Sequence, residues 1–239
     1  MKQAMHGLTT HPAGQHAGLL CDLDGTLAQT EHLHHAAFNA ILAPSGRSLD
    51  DEAFLRHVSG QANHAIMAFF FPDASIAERQ RLAEQKEASF RSLAASGGVD
   101  VTPGAAAMLA WARRRHVATG LVTNAPRANA EMMIAVLGLA AAFDVVVSAD
   151  DIARGKPHPD PYLAAMDTLG LSALATVAIE DSLTGIAAAR AAGIGVIALS
   201  TALTAAALRT SGAALVVGDL ADPVLYEYLE QRFALHAAT

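Results

Sequence analysis

The chain has 239 residues, more than one average domain and fewer than two, which suits a main domain carrying a substantial insertion. Apolar residues make up 52% and charged residues 16%, a globular composition that excludes a disordered chain and a coiled coil. Sixteen Lys and Arg against 23 Asp and Glu leave a net charge of −7, which argues against nucleic acid or an anionic membrane as a partner. An anionic substrate must therefore meet a local site.

Residues 1–16 contain His6, His11 and His16 but no continuous apolar run, so they are expected to form a flexible tail rather than a signal peptide. No apolar stretch is long enough to span a membrane. The run GLLCDL (18–23) reads as a buried strand. It is followed by HLHHAAFNAIL, DEAFLRHV, NHAIMAFFF and SIAERQRLAEQKEASFRSLAA, each with apolar residues at helical spacing. This predicts a helical domain over 31–96, inserted into an α/β core of residues 17–30 and 97–239. The AFFF patch (68–71) is expected to be part of the helical core.

Beyond residue 100, β-rich runs alternate with Ala-rich helical segments, the pattern of a parallel sheet with crossover helices. Strands are predicted at 117–123, 143–148, 176–180, 195–199 and 214–217. Pro103-Gly104 and Pro126 open helices, and Gly138, Gly170 and Gly193 close them. Cys21 is the single cysteine, so no intrachain disulfide or cysteine metal cluster forms, which suits a reducing cytoplasm. By alternation Cys21 points into the sheet packing, away from its neighbour Asp22.

Open parallel sheets bind ligands at the carboxyl ends of their strands. Three strands here end in polar residues: Asp22-Leu23-Asp24, Thr123-Asn124 and Glu180-Asp181-Ser182. Four carboxylates meeting at one sheet edge would repel one another unless a cation sits among them, and an all-oxygen donor set suits Mg²⁺. A calcium loop at DLDGT is excluded by Thr26 and Leu27, which stand where it needs a ligand and a glycine. Asp22 and Asp24, two positions apart in an extended segment, are expected on one side of it. They can then divide labour between nucleophile and proton carrier.

DLDGTLAQT, VTNA, GKPHPDPY and IEDSLTGIAAARAAG resemble, in order and spacing, the four motifs of the haloacid dehalogenase superfamily. They are most similar to its branch of β-phosphoglucomutase and small sugar-phosphate phosphatases. VTNAPRANAEMMI, FFFPD and EQKEASF resemble phosphatases of the 2-deoxyglucose 6-phosphate or glycerol phosphate type. The resemblance implies a Rossmann-like sheet with the Asp22 strand central and a helical cap closing over the substrate. It implies Asp22 as the nucleophile forming an aspartyl-phosphate and Asp24 as the general acid/base. Mg²⁺ would be held by Asp22, the backbone carbonyl of Asp24, Glu180 and Asp181. Thr123 and Asn124 would bind the transferring phosphoryl group and Lys156 would neutralise it. In the cap, His34 and Lys86 match positions that face the site.

Gln29 stands where relatives carry an acidic residue. Between Arg56 and Arg79 there is no Lys or Arg, which leaves a mutase's second phosphate without its usual partner and favours hydrolysis. Gln61, Asn63 and His64 are expected to hydrogen-bond sugar hydroxyls. The expectation is a monomeric, cytoplasmic, Mg²⁺-dependent phosphatase of small phosphorylated sugars or polyols, with a β-phosphoglucomutase-type phosphomutase as the alternative.

Overall fold

In the computed structural model, residues 17–97 and 99–237 are described. His6, His11 and His16 lie outside them. Strand β1 (Gly18–Cys21) is buried on both faces: Leu19 and Cys21 enter one hydrophobic core and Leu20 the other. The chain then passes through β2 (Ala28–Gln29) into α1 (Glu31–Leu42), α2 (Asp51–His57), α3 (Asn63–Phe70) and α4 (Ile76–Ala95). It returns through β3 (Asp100–Val101) to α5 (Ala105–Arg114), β4 (Ala118–Val122), α6 (Arg127–Val136) and β5 (Val145–Val147). Then follow α7 (Asp160–Leu169), β6 (Thr176–Glu180), α8 (Leu183–Ala191), β7 (Gly195–Leu199), α9 (Ala205–Thr210), β8 (Leu215–Val217) and α10 (Pro223–Ala237).

The main sheet has the order β5-β4-β1-β6-β7-β8, with every neighbouring pair parallel. This is the parallel sheet expected from the alternating pattern and the Rossmann-like core that the resemblance implies. Strand order runs outward from β1 in both directions, so the reversal point falls at β1, where a crevice opens between its carboxyl end and those of β4 and β6. The three predicted helix-end glycines, Gly138, Gly170 and Gly193, have positive φ.

Helices α1–α4 pack around their own core of Phe38, Leu42, Leu49, Phe54, Val58, Ile66 and Met67. Side-chain caps start two of them: Asp50 accepts from Ala53 N–H at 2.7 Å, and Ser75 from Glu78 N–H at 3.2 Å. The AFFF patch divides: Phe70 and Phe71 pack against this core, whereas Phe69 is 53% exposed and stacks on His57.

Two features depart from expectation. β1 ends at Cys21 rather than Leu23, because the chain curls back and Leu27 and Ala28 N–H both donate to Leu23 O. The antiparallel β2–β3 ribbon pairs Ala28 with Val101 and Gln29 with Asp100, joining the entry and exit of the helical segment. Two-residue strands carry no periodic signal. The Gln29 amide donates to Gly25 O at 3.3 Å and Thr102 Oγ1 at 3.0 Å, so an uncharged residue here ties the loop after β1 to the returning chain.

Candidate active site

Asp22 follows β1 directly, its N–H donating to Ile179 O at 3.0 Å as the last bond to β6. Its carboxylate accepts from Lys156 Nζ at 2.6 Å. Lys156 Nζ also donates to Glu180 Oε1 at 2.5 Å, and Tyr162 OH donates to the same oxygen at 2.6 Å. Ser182, the N-cap of α8, donates from its hydroxyl to Glu180 Oε2 at 3.3 Å. Asp181 accepts from Thr26 Oγ1 at 3.1 Å. All of these side chains are buried.

The turn after Asp22 sends Asp24 elsewhere. Its Oδ1 accepts from Thr30 Oγ1 at 2.6 Å and lies 3.3 Å from His34 Nε2, toward α1. The expectation of two carboxylates on one side of an extended segment is therefore corrected: β1 stops before them. Both still line one cavity of about 90 Å³, facing it from different directions.

Thr123 and Asn124 sit just past β4, in the same wall. Thr123 Oγ1 accepts from Ala125 N–H at 3.0 Å, leaving its own proton free to donate. Asn124 clamps Lys156: its Oδ1 accepts from Lys156 N–H at 2.9 Å, and its Nδ2 donates to Lys156 O at 3.1 Å. The same Nδ2 donates to Gly60 O at 3.1 Å, as does Thr184 Oγ1 at 2.8 Å, so the loop between α2 and α3 is pinned to the core at the site.

On the helical side, Lys86 Nζ lies 2.8 Å from His34 Nδ1 and 2.8 Å from Glu87 Oε1. An ammonium can only donate, so His34 Nδ1 accepts and Nε2 carries the hydrogen toward Asp24. The His34 ring stacks on Phe90 at 4.0 Å. Glu87, also buried, accepts from Asn63 Nδ2 at 2.8 Å and from Asn129 Nδ2 on α6, while Arg91 donates to Asn129 Oδ1 at 2.8 Å. Gln61 and Asn63 line the cavity; His64 is exposed and does not, which removes it from the expected hydroxyl-binding set.

Burial pushes the Asp22 carboxyl up to about 7; Glu180 and Asp24 add to the rise and Lys156 offsets only part of it. Burial, then the charges of Asp22 and Glu180, hold Asp181 well above the carboxylate range. Burial alone would raise Asp24 too, but the hydrogen bonds from His34 and Thr30 and the Lys86 charge outweigh it and hold Asp24 low. For Lys156, the Asp22 and Glu180 charges outweigh burial and keep the ammonium charged.

Asp22, Glu180 and Asp181 each offer a carboxylate oxygen, all within 4.8 Å of one another. Ionised together, the three carboxylates would leave two negative charges beyond the one ammonium in a buried place, and the donors are all hard oxygens. The charge and the donor set both fit a divalent cation. Two glycines let the backbone come close enough to build this cluster. A Cβ on Gly25, whose φ is +79°, would lie 2.1 Å from Asp181 Oδ2, and one on Gly185 would lie 1.9 Å from Glu180 Oε2.

The family described as haloacid dehalogenase-like hydrolase matches residues 19–199, a span that contains every carboxylate and the lysine of this cluster. The chain belongs to that family. Protein CbbY of Rhodobacter capsulatus is 36% identical to this hydrolase over 191 residues, covering 75% of this chain and 83% of CbbY. Fructose-1-phosphate phosphatase YqaB of Escherichia coli (strain K12) is 33% identical over 180 residues, covering 75% of this chain and 94% of YqaB. The crystal structure of CbbY from Rhodobacter sphaeroides in complex with phosphate superposes with a TM-score of 0.77 at 30% identity, covering 86% of this chain and 95% of that one.

Several residues of this haloacid dehalogenase-like hydrolase escaped the sequence reading although they lie inside the quoted motifs: Thr26 and Thr30 in DLDGTLAQT, Tyr162 in GKPHPDPY, and Glu87 in EQKEASF. Each is a buried hydrogen-bond partner of a charged group, a role that only the pairing reveals. Asn129 lies in the quoted VTNAPRANAEMMI, and Arg91 just beyond EQKEASF carries no local signal.

Proposed function

We propose that this hydrolase is a Mg²⁺-dependent phosphatase that cleaves small phosphorylated sugars or polyols through an aspartyl-phosphate formed on Asp22. Its membership of a hydrolase family and its likeness to a protein named as a phosphatase support phosphoric monoester hydrolysis. The observation that carries the reading is the opposed treatment of two carboxylates facing one cavity: Asp22 against Lys156 and an acidic cluster, Asp24 held by His34 and Thr30.

Asp22, Glu180 and Asp181 would hold the cation, with the backbone carbonyl of Asp24 completing the protein's share. When bound, Mg²⁺ supplies positive charge against the phosphoryl oxygens and the attacking carboxylate. Lys156 adds a fixed charge, locked in direction by Asn124, and Thr123 has a hydroxyl proton to give to a phosphoryl oxygen. A bond forms between the Asp22 carboxylate oxygen and phosphorus while the bond from phosphorus to the alcohol oxygen breaks, and that oxygen takes a proton from Asp24. Asp24 is then a carboxylate, held by the hydrogen bonds from His34 and Thr30. Water then attacks the acyl phosphate, Asp24 accepts its proton, and inorganic phosphate leaves with Asp22 restored.

Helices α1–α4 serve as the cap over the core, a role supported by Glu31, His34, Gln61 and Lys86 sharing the cavity wall with Asp22 and Thr123. The reading includes a monomer, and a cytoplasmic location with which a single buried cysteine is in keeping; among the described residues no helix is long and apolar enough to cross a membrane.

A phosphate-release screen over phosphorylated metabolites, with Mg²⁺ and with EDTA, tests the proposal. Release that depends on Mg²⁺ and disappears in Asp22→Asn supports it; equal turnover by Asp22→Asn overturns it. Sugar 1-phosphate converted to 6-phosphate without phosphate release would instead establish the phosphomutase alternative.

A further inference from the structure

Asp22 and the cap residues opposite it line a cavity of about 90 Å³, well below the roughly 300–1,000 Å³ of ordinary ligand pockets, so the site must widen to take in a sugar phosphate. The two ends of the cap are held to the core differently. Leu33 and Ala37 of α1 and Phe90 and Ala94 of α4 are buried in the same hydrophobic cluster as residues of β1, β4 and β6, and the buried Glu87–Asn129 contact ties α4 to α6. No residue of α2 or α3 enters that cluster; their buried side chains, Phe54, Ile66 and Met67, pack within the cap. Among the described residues, Gly60 O is the one atom of α2, α3 and the loop joining them that hydrogen-bonds the core.

That oxygen accepts from Asn124 Nδ2 at 3.1 Å and from Thr184 Oγ1 at 2.8 Å, which occupies both of its lone pairs. The fit is close: a Cβ on Gly60, whose φ is +69°, would lie 2.3 Å from Thr184 Oγ1 and 2.8 Å from Ser182 Cβ. Both donors lead into the acidic cluster. Asn124 gives its other amide hydrogen to Lys156 O, and Thr184 Oγ1 lies 3.3 Å from Ser182 Oγ, the donor to Glu180. With both Nδ2 hydrogens taken, the Asn124 side chain joins the cap to Lys156 and has none left for a phosphoryl oxygen.

Resting on the phosphatase reading above for its kinetic consequence, we propose that Gly60 O is the latch of the cap. The α2–α3 end parts from the core to admit substrate, and Asn124 and Thr184 fasten it again for phosphoryl transfer, when water must be kept out. Thr184, which does not line the cavity, is a positioning residue: through Gly60 it holds Gln61 and Asn63 over the reacting group.

Cys21 is buried, so spin labels can be carried on two introduced cysteines at exposed positions, Ala68→Cys on α3 and Ala187→Cys on α8. Pulsed dipolar EPR on the full chain is expected to show a long and a short distance without ligand, and mainly the short one with Mg²⁺ and inorganic phosphate. Thr184→Val keeps the shape and removes the donor, so it should lower the short-to-long ratio about fivefold, as the loss of one ordinary hydrogen bond does. Thr184→Ser should restore the wild-type ratio, and Gly60→Ala, which wedges the contact, should leave mainly the long distance. On the best substrate of the phosphate-release screen, Thr184→Val should lower kcat/KM by the same factor of about five at unchanged Tm, because fewer molecules are closed. One distance in every state, or a ratio unchanged in Thr184→Val, overturns the latch. A shifted ratio with unchanged kcat/KM overturns the positioning role of Thr184. Wild type inactive even on p-nitrophenyl phosphate with Mg²⁺ would sink the phosphatase reading, while the distances would still decide the latch.

Discussion

Asp181 sits in a place that suits its charge only when a cation is near. Burial and the neighbouring Asp22 and Glu180 disfavour its ionised form, and among the described residues the Thr26 hydroxyl is its one side-chain donor. Asp181→Asn is therefore expected to raise Tm in EDTA by about 2–4 °C, the equivalent of roughly 1 kcal/mol for a chain of this size. The same variant should lose most of the thermal stabilisation that Mg²⁺ gives the wild type, and scanning fluorimetry with and without Mg²⁺ reads both effects. Lys156→Met acts in the opposite sense. It strips Asp22 and Glu180 of the counter-charge they share, and breaking a buried pair in this way costs about 3–5 kcal/mol. Urea denaturation in EDTA should show that loss, with Mg²⁺ restoring part of it.

At the scale of elements, close approach of backbone to carboxylate governs the site. α8 is anchored by Ser182, which accepts from Gly185 N–H at 3.0 Å, and this turn brings Gly185 against the Glu180 carboxylate. A methyl group there has no room unless Glu180 moves off Lys156 and Tyr162. Gly185→Ala is expected to destabilise by about 1–3 kcal/mol, as overpacking does, and to cut kcat together with stability. Urea midpoints and initial rates measure the two. A second link between elements is the Glu87–Asn129 contact, which joins α4 to α6. This bond between a buried carboxylate and an amide has no sequence pattern, because the partners are 42 residues apart, and the Arg91–Asn129 bond beside it spans 38.

For the whole molecule, the carboxylates impose a pH dependence whose sign is set by Asp22. Its folded value of about 7 lies above its ordinary 3.8, so between these limits the native state binds more protons than the unfolded state. Stability of the metal-free protein from this group therefore falls as pH rises from about 4 to about 7. Asp24 and Glu87, held low in the fold, contribute the reverse: stability that is lost as pH falls below the ordinary carboxylate range. Cation binding requires ionised ligands, so the Tm increase given by Mg²⁺ should grow from pH 5 to pH 7.5. A pH-independent increase would contradict the assignment of Asp22 and Asp181 as ligands.

Strand and helix patterning was legible because each element buries a periodic set of residues. TVAIE and GVIAL match β6 and β7 residue for residue, and the four helical segments correspond to α1–α4. Legible too was the convergence of Asp22, Thr123, Glu180 and Asp181, since parallel strands that alternate with helices must end at one edge. Composition and spacing thus determine the sheet, the helices between its strands and the polar residues at its carboxyl edge. Only the tertiary structure decided that Asp24 turns toward His34, that Asn124 clamps Lys156, and that His64 faces outward. Those outcomes depend on which side chains meet across long sequence separations, and no local pattern records a meeting of that kind.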